Sequence, residues 1–221
     1  MITADLFAAM PAPVRRDEPL GEGAVVLRGF ALADEASLLL ALDAIVVQAP
    51  FRHLITPGGL RMSVAMTNAG SLGWVSDRRG YRYEPIDPLS GKPWPPLPPV
   101  FLQLAGAAAA QAGFTGFVPD ACLLNRYEAG TRLSLHQDRD EHDLEHPIVS
   151  VSLGIPAVFL FGGLQRSDRQ LRVPLAHGDV VVWGGPARLR FHGVLALKPG
   201  RHERLGQCRI NLTFRRAGAT G

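Results

Sequence analysis

The sequence has few cysteines, few charges and no apolar run that could cross a membrane. Its two cysteines, Cys122 and Cys208, are too few for a disulfide scaffold and lack metal-type spacing. The uncharged stretch Pro95–Pro119 contains prolines and glycines that prevent a spanning helix. The opening residues, MITADLFAAM, lack the basic and apolar regions of a secretory signal. We therefore expect a cytoplasmic protein without a membrane partner.

The overall composition is that of a folded protein rich in turns. Apolar residues make up 47% of the 221 residues and charged residues 19%, so a substantial core can form. The 24 glycines and 18 prolines argue against a helical bundle. The formal net charge of +3 permits binding to a polyanion without requiring it.

Hydrophobic periodicity predicts two helices and a series of short strands. In the first half we expect, in order, an irregular arm (1–22), a strand (25–30), a helix (34–48), strands and loops (53–83), a proline-rich connection (84–99) and a helix (100–112). In the second half, seven short and often alternating segments predict strands at 122–127, 148–153, 157–162, 171–175, 179–183, 191–197 and 208–214. This pattern indicates an antiparallel sandwich or barrel, with the jelly roll among the alternatives.

A metal site is the first chemical hypothesis. His136 and Asp138 are two residues apart, so in an extended segment both side chains face the same side. His192 follows several predicted strands later and is the candidate third ligand. Two imidazoles and one carboxylate form the facial triad of non-haem Fe(II) oxygenases, which leaves positions open for a cosubstrate and oxygen.

Other interpretations of these residues stay open at this point. A His-x-Asp pair occurs by chance in exposed loops, and a zinc hydrolase also uses two histidines and a carboxylate. The segment 142–146 (HDLEH) matches the zinc pattern H-x-x-E-H. That pattern needs a helix, and Pro147 disfavours helix at His146. We therefore interpret this second motif as a solvated acidic loop.

The last predicted strand carries two arginines on one face. Arg209 and Arg215 alternate with apolar residues and share their face with Asn211. Two guanidinium groups inside a core sheet are unfavourable unless anions meet them, and a small dicarboxylic acid would supply two carboxylates. Asn125 and Tyr127 share one face of another strand and could add hydrogen bonds. The alternative is an edge strand whose arginines reach water.

Four segments in the right order go beyond such spacing arguments. NRYEAGTRLSLHQDRDE, PIVSVSLGIPAVFLFGG, HGDVVVWGG and RINLTFR closely resemble the AlkB family of Fe(II)- and 2-oxoglutarate-dependent dioxygenases. The resemblance extends upstream through PGGLRMSVAMTNAGSLGW and YEPIDP and covers about residues 50–216.

The resemblance implies a mainly β fold with flanking helices. Its core would be a double-stranded β-helix, or jelly roll, with an N-terminal nucleotide-recognition lid. Within one structural domain, residues 1–50 would form the arm, strand and supporting helix, residues 51–99 the lid and connection, and residues 100–221 the second supporting helix and the catalytic core.

The resemblance also assigns residues to iron and to 2-oxoglutarate. Iron would be held by His136, Asp138 and His192. The distal carboxylate of 2-oxoglutarate would bind Arg209 with help from Asn125 and Tyr127. The carboxylate beside iron would meet Arg215, with Asn211 close by.

The activity implied by the resemblance is oxidative demethylation of DNA. Iron(II), 2-oxoglutarate and O2 would hydroxylate an N-methyl group of 1-methyladenine or 3-methylcytosine, releasing formaldehyde and yielding succinate and CO2. The target would be alkylated single-stranded DNA, and RNA as well.

The resemblance also assigns residues to the substrate. Trp74 would stack on the extruded base opposite His136. Asp140 would contact the cationic base, although a carboxylate in the run DRDEHD also suits a solvated surface. The remaining substrate-side candidates are Thr56, Met66, Tyr81, Arg166 and Trp183.

Two alternatives accompany this function. A related dioxygenase could act on tRNA or on a protein side chain, and a non-catalytic jelly roll could bind nucleic acid or a small acid. No self-association motif is evident in the sequence, so a monomer is expected.

Overall fold

The computed structural model describes residues 17–218 and shows a mainly β chain with two helices. The prediction for residues 1–16 lies outside the described part. The helices are α1 (Glu35–Gln48) and α2 (Pro99–Gln111). The strands are β1 (Asp17–Gly21), β2 (Ala24–Leu27), β3 (Arg52–Ile55), β4 (Arg61–Gly70), β5 (Gly73–Asp77), β6 (Gly80–Glu84), β7 (Ala121–Tyr127), β8 (Leu133–His136), β9 (Ile148–Gly154), β10 (Ala157–Phe161), β11 (Leu171–Leu175), β12 (Val180–Trp183), β13 (His192–Val194) and β14 (Arg209–Arg215).

Two antiparallel sheets form the core of the fold. The larger has eight strands in the order β1-β2-β12-β9-β14-β7-β4-β3, and the smaller has four in the order β11-β10-β13-β8. An apolar cluster between them joins Trp183 and Ile148 of the larger sheet to Phe159 and Phe161 of the smaller. The jelly-roll expectation for a mainly β chain with flanking helices is confirmed.

The helices cover the outer face of the larger sheet, as the alternation in β14 requires. Ile210, Leu212 and Phe214 join the apolar cluster that contains residues of α1 and α2. Arg209 and Arg215 therefore face the opposite side, toward the smaller sheet. Both arginines are buried, so the edge-strand alternative is wrong.

The structure corrects several predicted boundaries. Residues 17–21 form β1, paired antiparallel with β2, where the sequence indicated an irregular arm over residues 1–22. β13 has three residues where a longer strand was expected, and its pairing with β8 shifts register between His192 and Val194. β8 itself was not among the predicted strands.

A separate two-stranded hairpin lies beside the larger sheet. It consists of β5 and β6, whereas the neighbouring β3 and β4 extend the eight-stranded sheet. The division into arm, lid and core stays a prediction. Within residues 17–218, no helix is long and apolar enough to cross a membrane.

Candidate metal centre and cosubstrate pocket

Two histidines and an aspartate converge at the smaller sheet. His136 ends β8 and His192 begins β13, and the two residues are paired across these strands. Asp138 follows β8 by two residues, and its carboxylate lies 3.5 Å from Nε2 of His136 and 3.7 Å from Nε2 of His192. One ligand atom from each residue lies within 4.8 Å of the others. This spacing fits a single metal ion.

Backbone carbonyls set the protonation of both imidazoles. Nδ1 of His136 is 2.9 Å from the carbonyl of Ser134, and Nδ1 of His192 is 3.0 Å from that of Arg190. A carbonyl only accepts, so each Nδ1 donates and carries the ring proton. Each Nε2 then presents a lone pair near the Asp138 carboxylate, and a cation between them is what such a set requires. The donor set therefore fits Fe(II).

Arg215 keeps the carboxylate of this set ionised. Its Nη2 and Nε lie 2.6 and 3.0 Å from Oδ2 of Asp138. Burial of Asp138 opposes ionisation, but Arg215 outweighs it and holds the pKa of Asp138 well below its usual range. Burial, followed by the neighbouring His136, lowers the pKa of His192 to about 3, so this imidazole is neutral and able to bind a metal.

Arg209 differs from Arg215 because it has no counter-ion among residues 17–218. Within this part of the chain its Nη2 donates to the hydroxyl of Ser152 at 2.9 Å. Its Nε and Nη1 are buried and have no hydrogen-bond partner among the described residues, and burial lowers its pKa. The guanidinium lies 5.0 Å from the ring centroid of Tyr127. A buried, incompletely paired cation of this kind is a site for an anion such as a carboxylate.

The neutral residues assigned to the cosubstrate form a network next to Arg209. The amide of Asn211 donates to the hydroxyl of Ser150 at 2.8 Å and to the carbonyl of Val151 at 3.0 Å. Oδ1 of Asn125 is buried and has no partner within residues 17–218. Tyr127 is fully buried, and burial raises its pKa. A bound carboxylate only accepts, so the groups that can donate to it here are the Tyr127 hydroxyl and the amide nitrogen of Asn125, which otherwise lies 3.4 Å from Oδ1 of Asn211.

A buried carboxylate that was not predicted from the sequence lies beside this site. Glu141 accepts a hydrogen bond from the hydroxyl of Tyr83 at 3.0 Å and pairs with Arg215 and Arg188, each at 3.2 Å. Arg188 also donates to the backbone carbonyl of Asp138 at 2.7 Å. Glu141 thus connects the β5–β6 hairpin to the arginine of the metal centre. Glu141 lies in a run of charged residues, a pattern typical of a solvated loop. The sequence therefore gave no indication that this carboxylate is buried.

All the site residues proposed from the sequence line one cavity of about 840 Å³. On the substrate side it includes Thr56, Met66, Trp74, Tyr81, Asp140, Arg166 and Trp183. Met66 and Trp183 also belong to the core cluster, whereas Tyr81 and Asp140 are exposed at the rim. The metal centre, the unpaired arginine and the aromatic rim therefore share one space.

A second cluster, Glu35, His177 and His202, has metal-like spacing but unsuitable protonation. Nδ1 of His177 accepts the backbone N–H of Gly154 at 2.9 Å, so the ring proton is on Nε2, which lies 3.3 Å from Glu35. Binding a metal through Nε2 would place two N–H donors against each other at Gly154. This cluster is therefore a polar contact between the turn that carries His177 and Glu35 of α1.

The H-x-x-E-H segment forms no helix. Residues 142–146 are irregular, and the backbone N–H of His142 donates to the carbonyl of Ala217. The rejection of this motif as a zinc site is consistent with the observed backbone.

A double-sheet core with this ligand set defines an oxygenase that uses non-haem iron. The chain belongs to the 2OG-Fe(II) oxygenase superfamily, whose family model matches residues 23–215, and within it to the AlkB family; it is an Fe(II)- and 2-oxoglutarate-dependent dioxygenase. It is 58% identical over 213 residues to the alpha-ketoglutarate-dependent dioxygenase AlkB of Salmonella typhimurium, covering 96% of this chain and 97% of that protein.

More distant relatives share the family features. The nucleic acid dioxygenase ALKBH1 of Mus musculus is 35% identical over 129 residues, covering 58% of this chain and 33% of that protein. The solved structure of OsALKBH1 superposes with a TM-score of 0.79 at 30% identity, covering 91% of this chain and all of that one.

Proposed function

We propose that this dioxygenase repairs N-alkylated bases, namely 1-methyladenine and 3-methylcytosine, in single-stranded DNA and in RNA. The observation that carries the proposal is the shared cavity, in which an aromatic and acidic rim stands over the His136, Asp138 and His192 cluster. The name of the mouse relative, a nucleic acid dioxygenase, supports a nucleic acid as the substrate. We propose that the enzyme acts as a monomer; the cytoplasmic location stays a prediction.

Each residue has a role in this proposal. His136, Asp138 and His192 hold the metal, with Nδ1 of both imidazoles fixed by backbone carbonyls. Arg209 binds the distal carboxylate of 2-oxoglutarate together with Asn125 and Tyr127. Arg215, supported by Asn211, meets the other carboxylate while it keeps Asp138 ionised.

When bound, Fe(II) together with 2-oxoglutarate and O2 supplies the oxidation that converts the N-methyl group to N-hydroxymethyl, with succinate and CO2 as coproducts. The chain's part is to aim the methyl group and to exclude water. Trp74 offers a ring for stacking, and Asp140 offers a negative charge to the cationic lesion. The cationic hydroxymethyl product then loses formaldehyde and a proton, so the base becomes neutral and its attraction to Asp140 weakens.

Formaldehyde release tests the proposal directly. The purified protein is incubated with a single-stranded oligonucleotide containing 3-methylcytosine, with and without Fe(II) and 2-oxoglutarate, and with methylated tRNA and a methylated peptide in parallel. We expect release from the DNA and RNA that needs both additions, and none from the peptide. Release from the peptide alone would favour the alternative of a protein-directed dioxygenase.

The His136→Ala variant tests the ligand assignment in the same assay. It should abolish release, whereas His142→Ala changes an exposed imidazole of the following loop and should have no effect. Full activity of His136→Ala would show that the ligand set is wrong.

A further inference from the structure

Trp74 and Asp140 are joined by a hydrogen bond across the mouth of the cavity. The indole Nε1–H of Trp74 donates to Oδ2 of Asp140 at 2.8 Å. Asp140 is exposed on a segment without regular structure, and its carboxylate has no other hydrogen-bond partner among residues 17–218. An exposed aspartate on a loop ordinarily samples several rotamers. The indole N–H therefore restrains the carboxylate.

Trp74 is itself held rigidly. Its backbone N–H donates to Oδ1 of Asn68 and its carbonyl accepts from Nδ2 of the same residue, both at 3.0 Å. Asn68 is buried in β4 of the larger sheet. The indole stacks on Tyr81 with centroids 5.4 Å apart and an angle of 13° between the rings. The position of the Asp140 carboxylate is thus set by the sheet through Asn68 and Trp74.

The hydrogen bond leaves Asp140 with a defined accepting side. The indole supplies a single proton to Oδ2, so Oδ1 stays free to accept from another donor. We propose that the indole N–H of Trp74 orients the Asp140 carboxylate to accept from an exocyclic amino group of the methylated base, which makes Trp74 a positioning residue for lesion selection as well as a stacking surface. This inference rests on the proposed function.

The chemistry of the lesions decides what such a carboxylate selects. 1-Methyladenine and 3-methylcytosine carry an exocyclic nitrogen that can donate a hydrogen bond, whereas 3-methylthymine carries a carbonyl oxygen at the equivalent place. A fixed carboxylate attracts the first kind and repels the second. A carboxylate that rotates freely discriminates less, because it can turn away from the carbonyl or miss the amino group.

Relative rates on two lesions test the proposal. The value of kcat/KM is measured for 3-methylcytosine and 3-methylthymine in the same single-stranded sequence. Trp74→Phe keeps an aromatic ring for stacking, although a smaller one, and removes the N–H donor; the loss of stacking area affects both lesions and cancels in the ratio of their rates. We expect the ratio of the two rates to fall about tenfold in Trp74→Phe, as for the loss of one charge-assisted hydrogen bond. In an Asp140→Ala background the same change should leave the ratio unaltered.

A second measurement reports on the hydrogen bond without turnover. The chain has three tryptophans, and the Trp74 indole N–H resonance is assigned by its loss in Trp74→Phe. In Asp140→Ala this resonance should move, while that of Trp94, which donates to the carbonyl of Glu84, stays in place.

Two results would overturn the inference. One is an equal loss of rate on both lesions when Trp74→Phe is made in the otherwise wild-type protein, since that is what stacking alone predicts. The other is an unmoved Trp74 indole resonance in Asp140→Ala. A wild-type protein that released formaldehyde from neither oligonucleotide would instead refute the proposed function, and with it the role in lesion selection.

Discussion

Arg209 and Arg215 are chemically identical side chains on one strand face, yet they stand in opposite electrostatic situations. Arg215 pairs with Asp138 and Glu141, whereas Arg209 meets one neutral hydroxyl and a tyrosine ring. Removing one partner of a buried ion pair leaves an uncompensated charge, while removing an unpaired buried charge does not. We therefore expect the same substitution at the two positions to have opposite effects on the free energy of unfolding.

Arg215→Met should lower the free energy of unfolding by about 3–5 kcal/mol. Arg209→Met should leave it unchanged or raise it, and should abolish the increase in Tm that 2-oxoglutarate gives to the anaerobic Fe(II) protein. Thermal and urea unfolding with and without 2-oxoglutarate measure both quantities. Equal destabilisation by the two variants would contradict the assignment of Arg209 as the anion site.

Gly193 shows how closely β8 and β13 must approach to bring the metal ligands together. A Cβ atom on Gly193 would lie 2.7 Å from the carbonyl oxygen of Leu133, which is backbone and cannot rotate away. The residue directly follows His192, so any separation of the strands at this point displaces that imidazole from His136.

Gly193→Ala should therefore weaken metal binding by about tenfold or more, the scale seen when the supports of metal ligands are changed. An anaerobic Fe(II) titration measures the affinity. Gly106→Ala in α2 is the matched control, because its Cβ would make an ordinary contact at 3.5 Å and alanine favours the helix. If both variants bound Fe(II) like the wild type, the close approach would not govern the site.

The connection between β6 and α2 is stabilised by a buried ion pair. Asp87 accepts from Arg52 at 2.8 Å, from the Ser90 hydroxyl at 2.9 Å and from the Leu89 N–H at 3.0 Å. Burial of Asp87 opposes ionisation, but these donors outweigh it and lower its pKa. A carboxyl whose pKa is lower in the folded state stabilises the protein above its unfolded pKa of about 4.

Asp87→Asn should consequently reduce the free energy of unfolding at neutral pH. The difference from the wild type should shrink as the pH falls below about 4 and through the folded pKa. Urea unfolding at several pH values measures it, with Asp43→Asn on the exposed face of α1 as the control. A difference that did not depend on pH would mean that the charge of Asp87 is not responsible.

For the strands and helices, the sequence predicted where the elements lie better than it predicted which distant residues contact them. The alternation in β14 was enough to place Arg209 and Arg215 opposite the apolar face, because side-chain direction in a strand has a period of two. Nothing local distinguishes exposed Asp140 from buried Glu141, since the difference arises from Tyr83 and Arg188, which are distant in the chain. β1 was missed for the same reason, because its pairing depends on β2.

At the scale of the whole molecule, a set of exposed arginines stands where the proposed nucleic acid substrate would enter the cavity. The arginines that line the cavity are Arg61, Arg132, Arg139 and Arg166, together with the buried Arg209 and Arg215. When exposed cations at the entrance bind phosphates, the nucleic acid releases its counterions. The logarithm of the association constant for single strands therefore falls linearly with the logarithm of the salt concentration. The proposed function therefore predicts strongly salt-dependent binding.

Arg166→Gln should reduce the salt slope of single-stranded DNA binding by about 0.7, the value for one lost phosphate contact. Fluorescence anisotropy at several salt concentrations measures the slope. Arg172→Gln on β11, exposed but outside the cavity, should leave it unchanged. Equal slopes in all three proteins would exclude Arg166 from the binding surface.

The hairpin of β5 and β6 forms a two-stranded sheet of its own, separate from the smaller sheet on which His136 and His192 lie. Under the proposed function, Trp74 and Tyr81 of this hairpin contribute to target choice from a piece of backbone that does not carry the histidine ligands. For enzyme engineering, a hairpin transplanted from another family member could therefore redirect the oxygenase to a new lesion, provided that it keeps the Tyr83 hydroxyl that donates to Glu141.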